Sequence, residues 1–280
     1  MKLIDVIYVI ILGIIEGITE WLPISSTGHL LIIERVFTKY VNTQIFTESF
    51  NEMFTVVIQL GAICAILSIF FKKLWPFAYF EEYSKKEKWD IWKKIVIASI
   101  PAAVVGLLFD DYIDKIFFNP LTIGITLVVY GIIFIIIEYR KKTVIKHNDI
   151  KKLSLKLAFT IGLAQVLAMI PGTSRSGITI IAGILLACSR DLSAEFSFLL
   201  SIPIMFGASG LKLIKFLLND SFRFNQIILL LIGLLIAFMV SLLVVKWLLK
   251  FIKKHSFKSF GYYRIGLGIL IIMGIIIGFF

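Results

Sequence analysis

The feature that most constrains this chain is a series of long apolar stretches that recurs along its whole length. Of its 280 residues, 59% are hydrophobic and only 17% are charged, and one soluble core cannot hide so much apolar surface. Most of the stretches come near the roughly 20 residues that an α-helix needs to cross a bilayer. We therefore expect an all-α integral membrane protein. Six stretches predict spanning helices, at residues 54–71, 95–109, 121–137, 196–214, 227–249 and 262–280.

The net charge of +11 comes from basic residues that cluster in three connections between these stretches. Residues 72–94, 140–156 and 246–264 hold 20 of the 29 Lys and Arg residues. Basic loops flank spanning helices on the cytoplasmic side, so this charge indicates orientation and contact with anionic membrane lipids. It does not indicate a nucleic-acid partner. The turn that alternation of the spans places outside carries Asp110, Asp111 and Asp114.

Two further apolar stretches are interrupted near their middle, one by Pro23 and the other by Pro171 and Gly172. Proline removes a backbone donor and glycine loosens the chain, so neither stretch is expected to form one straight helix. Irregular backbone at membrane depth is tolerated only where it is buried in protein or lines a polar cavity. We therefore predict two re-entrant helical hairpins. They pair residues 3–22 with 26–37 and residues 153–170 with 178–188.

With this assignment, each half of the chain contains one hairpin and three spans, and the two halves have opposite orientations. Both termini are then expected outside. The two breaks share a Pro-x-hydroxyl-Ser pattern, at residues 23–26 and 171–174. We predict an inverted-topology repeat within a single membrane domain, formed by residues 1–139 and 140–280. In such repeats the broken elements meet near the bilayer midplane.

The first hairpin contains two carboxylates, Glu16 and Glu20, four residues apart on one helix face. Ionisable groups are costly in lipid, so a functional site in a wet or metal-bearing cavity is the default interpretation. The alternative is a structural pair neutralised by a buried lysine or by protonation.

The break that follows places hydroxyl groups at the start of a new helix, at Ser25, Ser26 and Thr27. Ordinary N-capping explains such residues equally well. His29 favours a site, because an imidazole three residues after Ser26 could reach the same phosphate. A serine is a weak nucleophile until a base or a cation assists it. A hydrogen-bonded core histidine is the alternative for His29.

The second break, residues 171–179, predicts an anion-binding turn. A glycine-flanked and hydroxyl-rich turn at a helix start offers free N–H groups and the positive end of the helix dipole. Arg175 adds a rigid fork of donors that matches phosphate oxygens. The alternative is an arginine that extends toward the membrane surface.

Together these motifs closely resemble those of the undecaprenyl-pyrophosphate phosphatases, also called bacitracin-resistance proteins. The resemblance rests on Glu16-x-x-x-Glu20 and on residues 23–29 and 171–176, and it extends through residues 194–200 to Ile202-Pro203. It implies a bacterial plasma-membrane (inner-membrane) enzyme that hydrolyses undecaprenyl pyrophosphate, recycles the cell-wall lipid carrier and confers bacitracin resistance. It also implies a divalent cation and an active site open to the outer leaflet.

The resemblance further implies a set of functional residues, namely Glu16, Glu20, Ser26, His29, Ser174, Arg175 and Thr179. Phosphoryl transfer requires an in-line nucleophile and neutralised phosphate oxygens. We therefore expect Ser26 to attack the terminal phosphorus, while Arg175 and the N–H groups around Ser174 hold its oxygens. The substrate-binding set is expected to include Ser25, Thr27, Ser174, Ser176 and Thr179.

For the remaining groups, we expect Glu16 and Glu20 to bind Mg²⁺ or Ca²⁺ that bridges the pyrophosphate. His29 would act as the general base, or it would protonate the departing lipid phosphate. In a rival scheme His29 attacks and Ser26 only binds.

Two other classes of function remain open from the sequence. Inverted repeats with broken helices are also typical of secondary transporters, so the chain could be an anion carrier or a lipid flippase. A non-catalytic lipid-binding scaffold is the third hypothesis. The expected partners are an isoprenoid pyrophosphate lipid and membrane lipids, and the sequence leaves a homodimer open.

Overall fold

The helices account for most of the chain. The computed structural model describes residues 2–139 and 145–280, so part of the second basic connection, residues 140–144, lies outside the described residues. In chain order the helices are α1 (Leu3–Thr19), α2 (Ser26–Phe37), α3 (Glu48–Ile69), α4 (Lys85–Phe117), α5 (Pro120–Tyr139), α6 (Leu155–Gln165), α7 (Arg175–Leu185), α8 (Arg190–Asn219), α9 (Phe224–Phe251) and α10 (Lys258–Ile276).

The six predicted spans are confirmed as six long apolar helices, α3, α4, α5, α8, α9 and α10. Each helix begins earlier than the apolar stretch that predicted it. Polar caps explain three of these early starts, because the side chains of Thr47, Ser84 and Ser189 each accept a hydrogen bond from a backbone N–H three residues later. Hydropathy alone detects the membrane-crossing part of a helix and not its polar first turn.

Two details of the predicted connections are wrong. Asp110, Asp111 and Asp114 do not lie in a turn, because α4 continues to Phe117 and includes all three. Arg264 does not belong to the third basic connection, because α10 begins at Lys258 and buries the Arg264 side chain completely. At the aspartates the helix extends beyond the predicted apolar stretch. At Arg264 the predicted span and the predicted connection overlapped, and the residue belongs to the helix.

Each interrupted stretch folds as a pair of antiparallel helices whose outer ends meet. In the first pair, the backbone N–H of Asn42 donates to Asp5 Oδ1 at 2.9 Å, and the rings of Tyr8 and Phe37 stack 5.4 Å apart. In the second pair, the backbone N–H of Ser189 donates to the carbonyl of His147 at 2.7 Å. Both pairs are helical hairpins, and their re-entrance from one membrane face stays a prediction.

The two hairpins enter the helix bundle from opposite ends. The end that holds His147 is the basic end, where Lys94 Nζ donates to the carbonyls of Ile150 and Lys151, both at 2.9 Å. The end that holds Asn42 lies beside the loop after α8, because Arg223 donates to the carbonyl of Gln44 there. This inversion is what two oppositely oriented repeats require, although the division at residue 139 stays a prediction.

The two halves of the chain also make equivalent helix contacts. α1 packs along α9, and α6 packs along α4, so the first arm of each hairpin contacts the second span of the other half. The helices α5 and α10 run antiparallel in close contact. A Cβ atom on Gly131 would lie 2.8 Å from the carbonyl oxygen of Gly261, and the reverse substitution would produce the same clash. Glycine is required at both positions for the backbones to approach so closely.

The two breaks also adopt matching backbone conformations. The N-cap residues Ser25 and Ser174 both have a left-handed φ, 72° and 70°, with ψ of 108° and 114°. By this geometry Ser25 corresponds to Ser174, whereas the shared Pro-x-hydroxyl-Ser pattern aligns Ser25 with Thr173. The sequence alignment is therefore shifted by one residue, because the turn is defined by its cap and not by its proline.

A pair of topology reporters tests the predicted orientation. A reporter fused after Phe280 is expected on the outer side of the membrane. A reporter inserted after Lys253, in the short connection between α9 and α10, is expected in the cytoplasm. Alkaline phosphatase and a fluorescent protein, which are active on opposite sides, provide the measurement. Finding both sites on one side would contradict the topology.

Candidate active site

The two breaks meet inside the bundle through a buried ion pair. Arg175 Nη2 lies 2.9 Å from Glu20 Oε1, and the two side chains are only 11% and 10% exposed. Arg175 Nε donates to the same oxygen at 3.3 Å. Beside this pair, the Ser176 hydroxyl donates to the carbonyl of Leu22 at 3.3 Å. The structure thus brings the carboxylate of the first hairpin to the cationic turn of the second.

A buried tryptophan supports this junction. Trp21, directly after Glu20, is completely buried and packs edge-on against Phe198 of α8, with ring centroids 5.5 Å apart. The guanidinium carbon of Arg175 lies 5.7 Å from the Trp21 ring centroid, within the range of a cation–π contact. The indole therefore fixes the end of α1 and supports the arginine from its face.

The hydroxyl of Ser26 is directed to a carboxylate. Ser26 Oγ donates to Glu20 Oε2 at 3.3 Å, so Glu20 contacts the serine with one oxygen and Arg175 with the other. An ionised carboxylate can only accept hydrogen bonds, so the serine proton points toward Glu20. This geometry is the one that a general base needs to remove the proton from a serine nucleophile.

His29 has other partners than Ser26. Its Nδ1 lies 2.7 Å from the carbonyl oxygen of Ser25, and its Nε2 lies 2.7 Å from the hydroxyl of Tyr263. A carbonyl only accepts, so we assign the ring proton to Nδ1, and Nε2 then accepts from Tyr263. The two rings are nearly parallel, with centroids 5.6 Å apart. The imidazole is thus oriented by α10. No hydrogen bond of the described residues joins His29 to Ser26, and its predicted role as general base or acid stays a prediction.

Glu16 is completely buried, and neither of its carboxylate oxygens has a hydrogen-bond partner within residues 2–139 and 145–280. A buried carboxylate without a partner is costly, so binding a proton or a cation would stabilise these oxygens. Together with Glu20 they offer a hard cation two carboxylates. The described residues contain no cluster of three or more His, Cys, Asp or Glu side chains suited to a metal. The donor set fits Mg²⁺, which commonly takes one or two carboxylates plus waters and substrate phosphates.

The second break has the features of an anion-binding helix start. The Ser174 hydroxyl caps α7 by accepting from the N–H of Gly177 at 3.2 Å. The preceding N–H groups, of Arg175 and Ser176, belong to the first turn and have no acceptor within the helix. They lie beside the guanidinium group at the positive end of the helix dipole, an arrangement that suits a phosphate.

Several predicted substrate-binding residues hold the protein together instead of facing open space. Thr179 is completely buried, donates to the carbonyl of Arg175 at 2.8 Å and lies 2.6 Å from the hydroxyl of Ser197. Ser176 is 1% exposed. Ser25, at the N-cap position of α2, is 2% exposed, and its hydroxyl makes no hydrogen bond within the described residues. These residues are packed inside the two turns and are not exposed to a cavity. The half-buried residues of the predicted set are Ser26, Thr27, His29, Ser174 and Arg175.

Sequence reasoning missed two residues of this site. Tyr263 binds His29, and Ser197 holds Arg175, because its carbonyl accepts from Arg175 Nη1 at 2.8 Å. Neither belongs to a local motif of the breaks. Tyr263 resembles an interfacial aromatic residue at the start of a span, and Ser197 lies in the apolar stretch of α8. Only the tertiary packing brings them to the breaks.

Comparison with known proteins gives matches over nearly the whole chain. Residues 9–270 match the family model described as bacitracin resistance protein BacA. The chain is 53% identical to the undecaprenyl-diphosphatase of Lachnoclostridium phytofermentans, with 97% of each chain covered. It is 48% identical to the undecaprenyl-diphosphatase of Acetivibrio thermocellus, covering 97% of this chain and 98% of that one. The similarity extends over both breaks.

The ion pair between the breaks is testable by a double-mutant cycle. Removing one partner of a buried pair leaves an uncompensated charge, so Arg175→Met is expected to reduce the free energy of unfolding by about 3–5 kcal/mol. Glu20→Gln is expected to cost a similar amount. The double variant should be more stable than the sum of the two losses predicts, by on the order of 2 kcal/mol. Thermal unfolding of the four proteins in detergent provides the measurement.

The exposed pair between Lys215 Nζ and Asp111 Oδ1, at 3.1 Å, is the matched control. Its side chains are 53% and 88% exposed, so its removal should change stability by less than about 1 kcal/mol. Additive effects of the Glu20 and Arg175 substitutions would show that the two groups do not interact.

Proposed function

Because this chain belongs to the bacitracin resistance protein BacA family, we propose that it is a membrane phosphatase that hydrolyses undecaprenyl pyrophosphate to undecaprenyl phosphate and inorganic phosphate. Such an enzyme recycles the lipid carrier of cell-wall synthesis and confers resistance to bacitracin. The observation that carries the proposal is the convergence of a serine, a carboxylate and an arginine where the two breaks meet. The six apolar helices account for access to a lipid substrate.

In the proposed reaction Ser26 Oγ attacks the terminal phosphorus. A bond forms between Oγ and phosphorus, the bridging P–O bond breaks, and undecaprenyl phosphate leaves with the bond electrons. Glu20 takes the serine proton, because it is the group that the hydroxyl contacts. Water then attacks the phosphoserine, releases inorganic phosphate and regenerates the hydroxyl. Arg175 and the first N–H groups of α7 stabilise the charge on the transferring phosphoryl oxygens.

The ion pair suggests how substrate binding prepares the base. Without substrate, Glu20 and Arg175 compensate each other at 2.9 Å. A terminal phosphate offers Arg175 an acceptor with more negative charge and a geometry that fits its fork. As the guanidinium group turns to the phosphate, it releases the Glu20 carboxylate, which then accepts the proton of Ser26.

In this scheme His29 lies beside the leaving lipid phosphate. Tyr263 and the Ser25 carbonyl fix the orientation of its ring. The same contacts disfavour His29 as the nucleophile, because its Nε2 would first have to lose the tyrosine hydroxyl. A divalent cation held by Glu16 and Glu20, when bound, would neutralise pyrophosphate oxygens as a Lewis acid. The orphaned Glu16 oxygens support this assignment.

We place the enzyme in the bacterial plasma membrane, with the site open to the outer leaflet. The basic connections support the orientation, since they meet at the end of the bundle opposite the ends of the first hairpin. The carrier hypothesis retains one supporting feature, namely two hairpins that enter from opposite ends. A carrier needs no nucleophile, which separates the two functions experimentally.

Phosphate release from undecaprenyl pyrophosphate by the purified protein in detergent tests the proposed function. We expect release with Mg²⁺ or Ca²⁺ and none with a chelator. Arg175→Ala should lower kcat/KM by about 10²–10³-fold or more, because it removes the positive charge that stabilises the transferring phosphoryl group. Absence of release from a well-folded parent protein would favour a carrier, and a Ser26→Ala protein that still moved the lipid would do the same.

Trapping the phosphorylated residue identifies the nucleophile. With a substrate labelled in its terminal phosphate and rapid quenching, we expect an acid-stable label on Ser26 that is absent from Ser26→Ala. Glu20→Gln should lower kcat by about 10²–10⁴-fold, the usual effect of losing a general base. His29→Gln should have a smaller effect and leave the label on Ser26. An acid-labile label on His29 would reverse these roles.

A further inference from the structure

Arg264 of α10 lies where the two breaks approach each other. Its side chain is completely buried and is one of the largest fully buried side chains in the described residues. Nη1 donates to the carbonyl of Pro23 at 3.2 Å, in the first break. Nη2 donates to the carbonyls of Gly172 and Thr173 at 2.8 and 3.0 Å, in the second break. One guanidinium group therefore binds the backbone of both breaks.

The carbonyls that Arg264 binds need such a donor. They lie between helices, outside the regular hydrogen-bond ladders, and a buried carbonyl without a donor is costly. The guanidinium group suits this task because its donors diverge from one rigid plane and can reach two chain segments at once. An ammonium group is a point charge and cannot reproduce that span.

The charge of Arg264 is balanced without a carboxylate. None of the ion pairs found among the described residues includes it. Its guanidinium carbon lies 5.8 Å from the Tyr130 ring centroid, and the acceptors of its hydrogen bonds are three backbone carbonyls. Burying a charge in this way is expensive and adds little general stability compared with apolar packing. The arrangement is better explained by what it holds in place.

The bound carbonyls lie close in sequence to the reacting groups. Pro23 lies three residues before Ser26, and Thr173 lies one residue before Ser174 and two before Arg175. We propose that Arg264 is a positioning residue that fixes the distance between the nucleophile of the first break and the anion-binding turn of the second. This inference rests on the proposed function. Arg264 touches neither reacting group and acts through the two backbones.

Other contacts replace this link only in part. The Ser176 hydroxyl also joins the breaks, by donating to the carbonyl of Leu22 at 3.3 Å, but it is a single neutral bond, whereas Arg264 makes three charge-assisted ones. Thr126 donates to the carbonyl of Pro171 at 2.7 Å, but it holds only the second break. The pair of Arg175 and Glu20 joins the breaks directly, yet the proposed mechanism requires Arg175 to turn to the substrate. Arg264 is then the charged contact that keeps the breaks in register while the ion pair opens.

Steady-state kinetics test the inference, with Arg264→Lys and Arg264→Met compared with the parent. Lys94→Met is the matched control, because Lys94 is also buried and donates to two carbonyls, but at the basic end of the bundle. We expect both Arg264 variants to lose about 10²-fold or more in kcat, since misplacement by an ångström has effects of that size. KM should change by less than about threefold, and Lys94→Met should keep the parent kcat.

Hydrogen exchange read by mass spectrometry supplies a measurement that needs no activity. In Arg264→Lys, peptides that cover Pro23 to Ser26 and Gly172 to Ser176 should exchange about tenfold faster, while the spans keep the parent rates. In Lys94→Met, faster exchange should be confined to the basic end. The exchange measurement tests the inference even if the parent protein releases no phosphate. Absence of phosphate release would reject only the proposed function.

Three results would overturn the inference. The first is an Arg264→Lys protein with parent kcat and parent exchange at both breaks. The second is a uniform rise in exchange along the chain with unchanged kcat per folded molecule, which indicates a purely structural role. The third is failure of Arg264→Lys to fold, because the residue would then be a determinant of folding. If only Arg264→Met aggregates, the lysine variant decides.

Discussion

The buried contact between Arg175 and Glu20 is the interaction on which the rest of the site depends. It joins two chain segments that are 155 residues apart and whose helices enter the bundle from opposite ends. A buried charge is costly unless it is paired, so Glu20 and Arg175 each reduce the cost of burying the other. Lipid outside the bundle offers neither water nor counter-charge. The membrane environment thus helps to hold the breaks together.

The breaks create a second requirement, for backbone hydrogen bonds. Where a helix is interrupted at membrane depth, the exposed N–H and carbonyl groups must find partners within the protein. Here the N–H groups of the second break are partly capped by Ser174 and partly left for an anion, while the carbonyls are bound by Arg264 and Thr126. Donors and acceptors are thereby separated. The first N–H groups of α7 lack an acceptor within the helix, whereas the carbonyls of the turn are bonded.

Much of this arrangement could be predicted from the sequence because its signals are local. Hydropathy identified the six spans, and Pro23 with Pro171 located both breaks. The contact of Glu20 with Arg175 could not be predicted, since no local pattern specifies how two hairpins meet. The partner of Ser26 was also beyond sequence reasoning. His29 is nearer to Ser26 in sequence, but the Ser26 hydroxyl donates to Glu20, while His29 Nδ1 donates to the carbonyl of Ser25.

Arg264 shows most clearly where a sequence interpretation fails. In a lysine-rich segment that overlaps the start of a predicted span, an arginine indicates the cytoplasmic interface. The helix, however, begins six residues earlier, at Lys258, and carries Arg264 into the protein, one residue after Tyr263. A regular helix presents these neighbours in different directions, so Tyr263 reaches His29 while Arg264 reaches the breaks. One turn of α10 therefore supports both halves of the site. The functional unit comprises two hairpins and the last span, and the motifs alone do not define it.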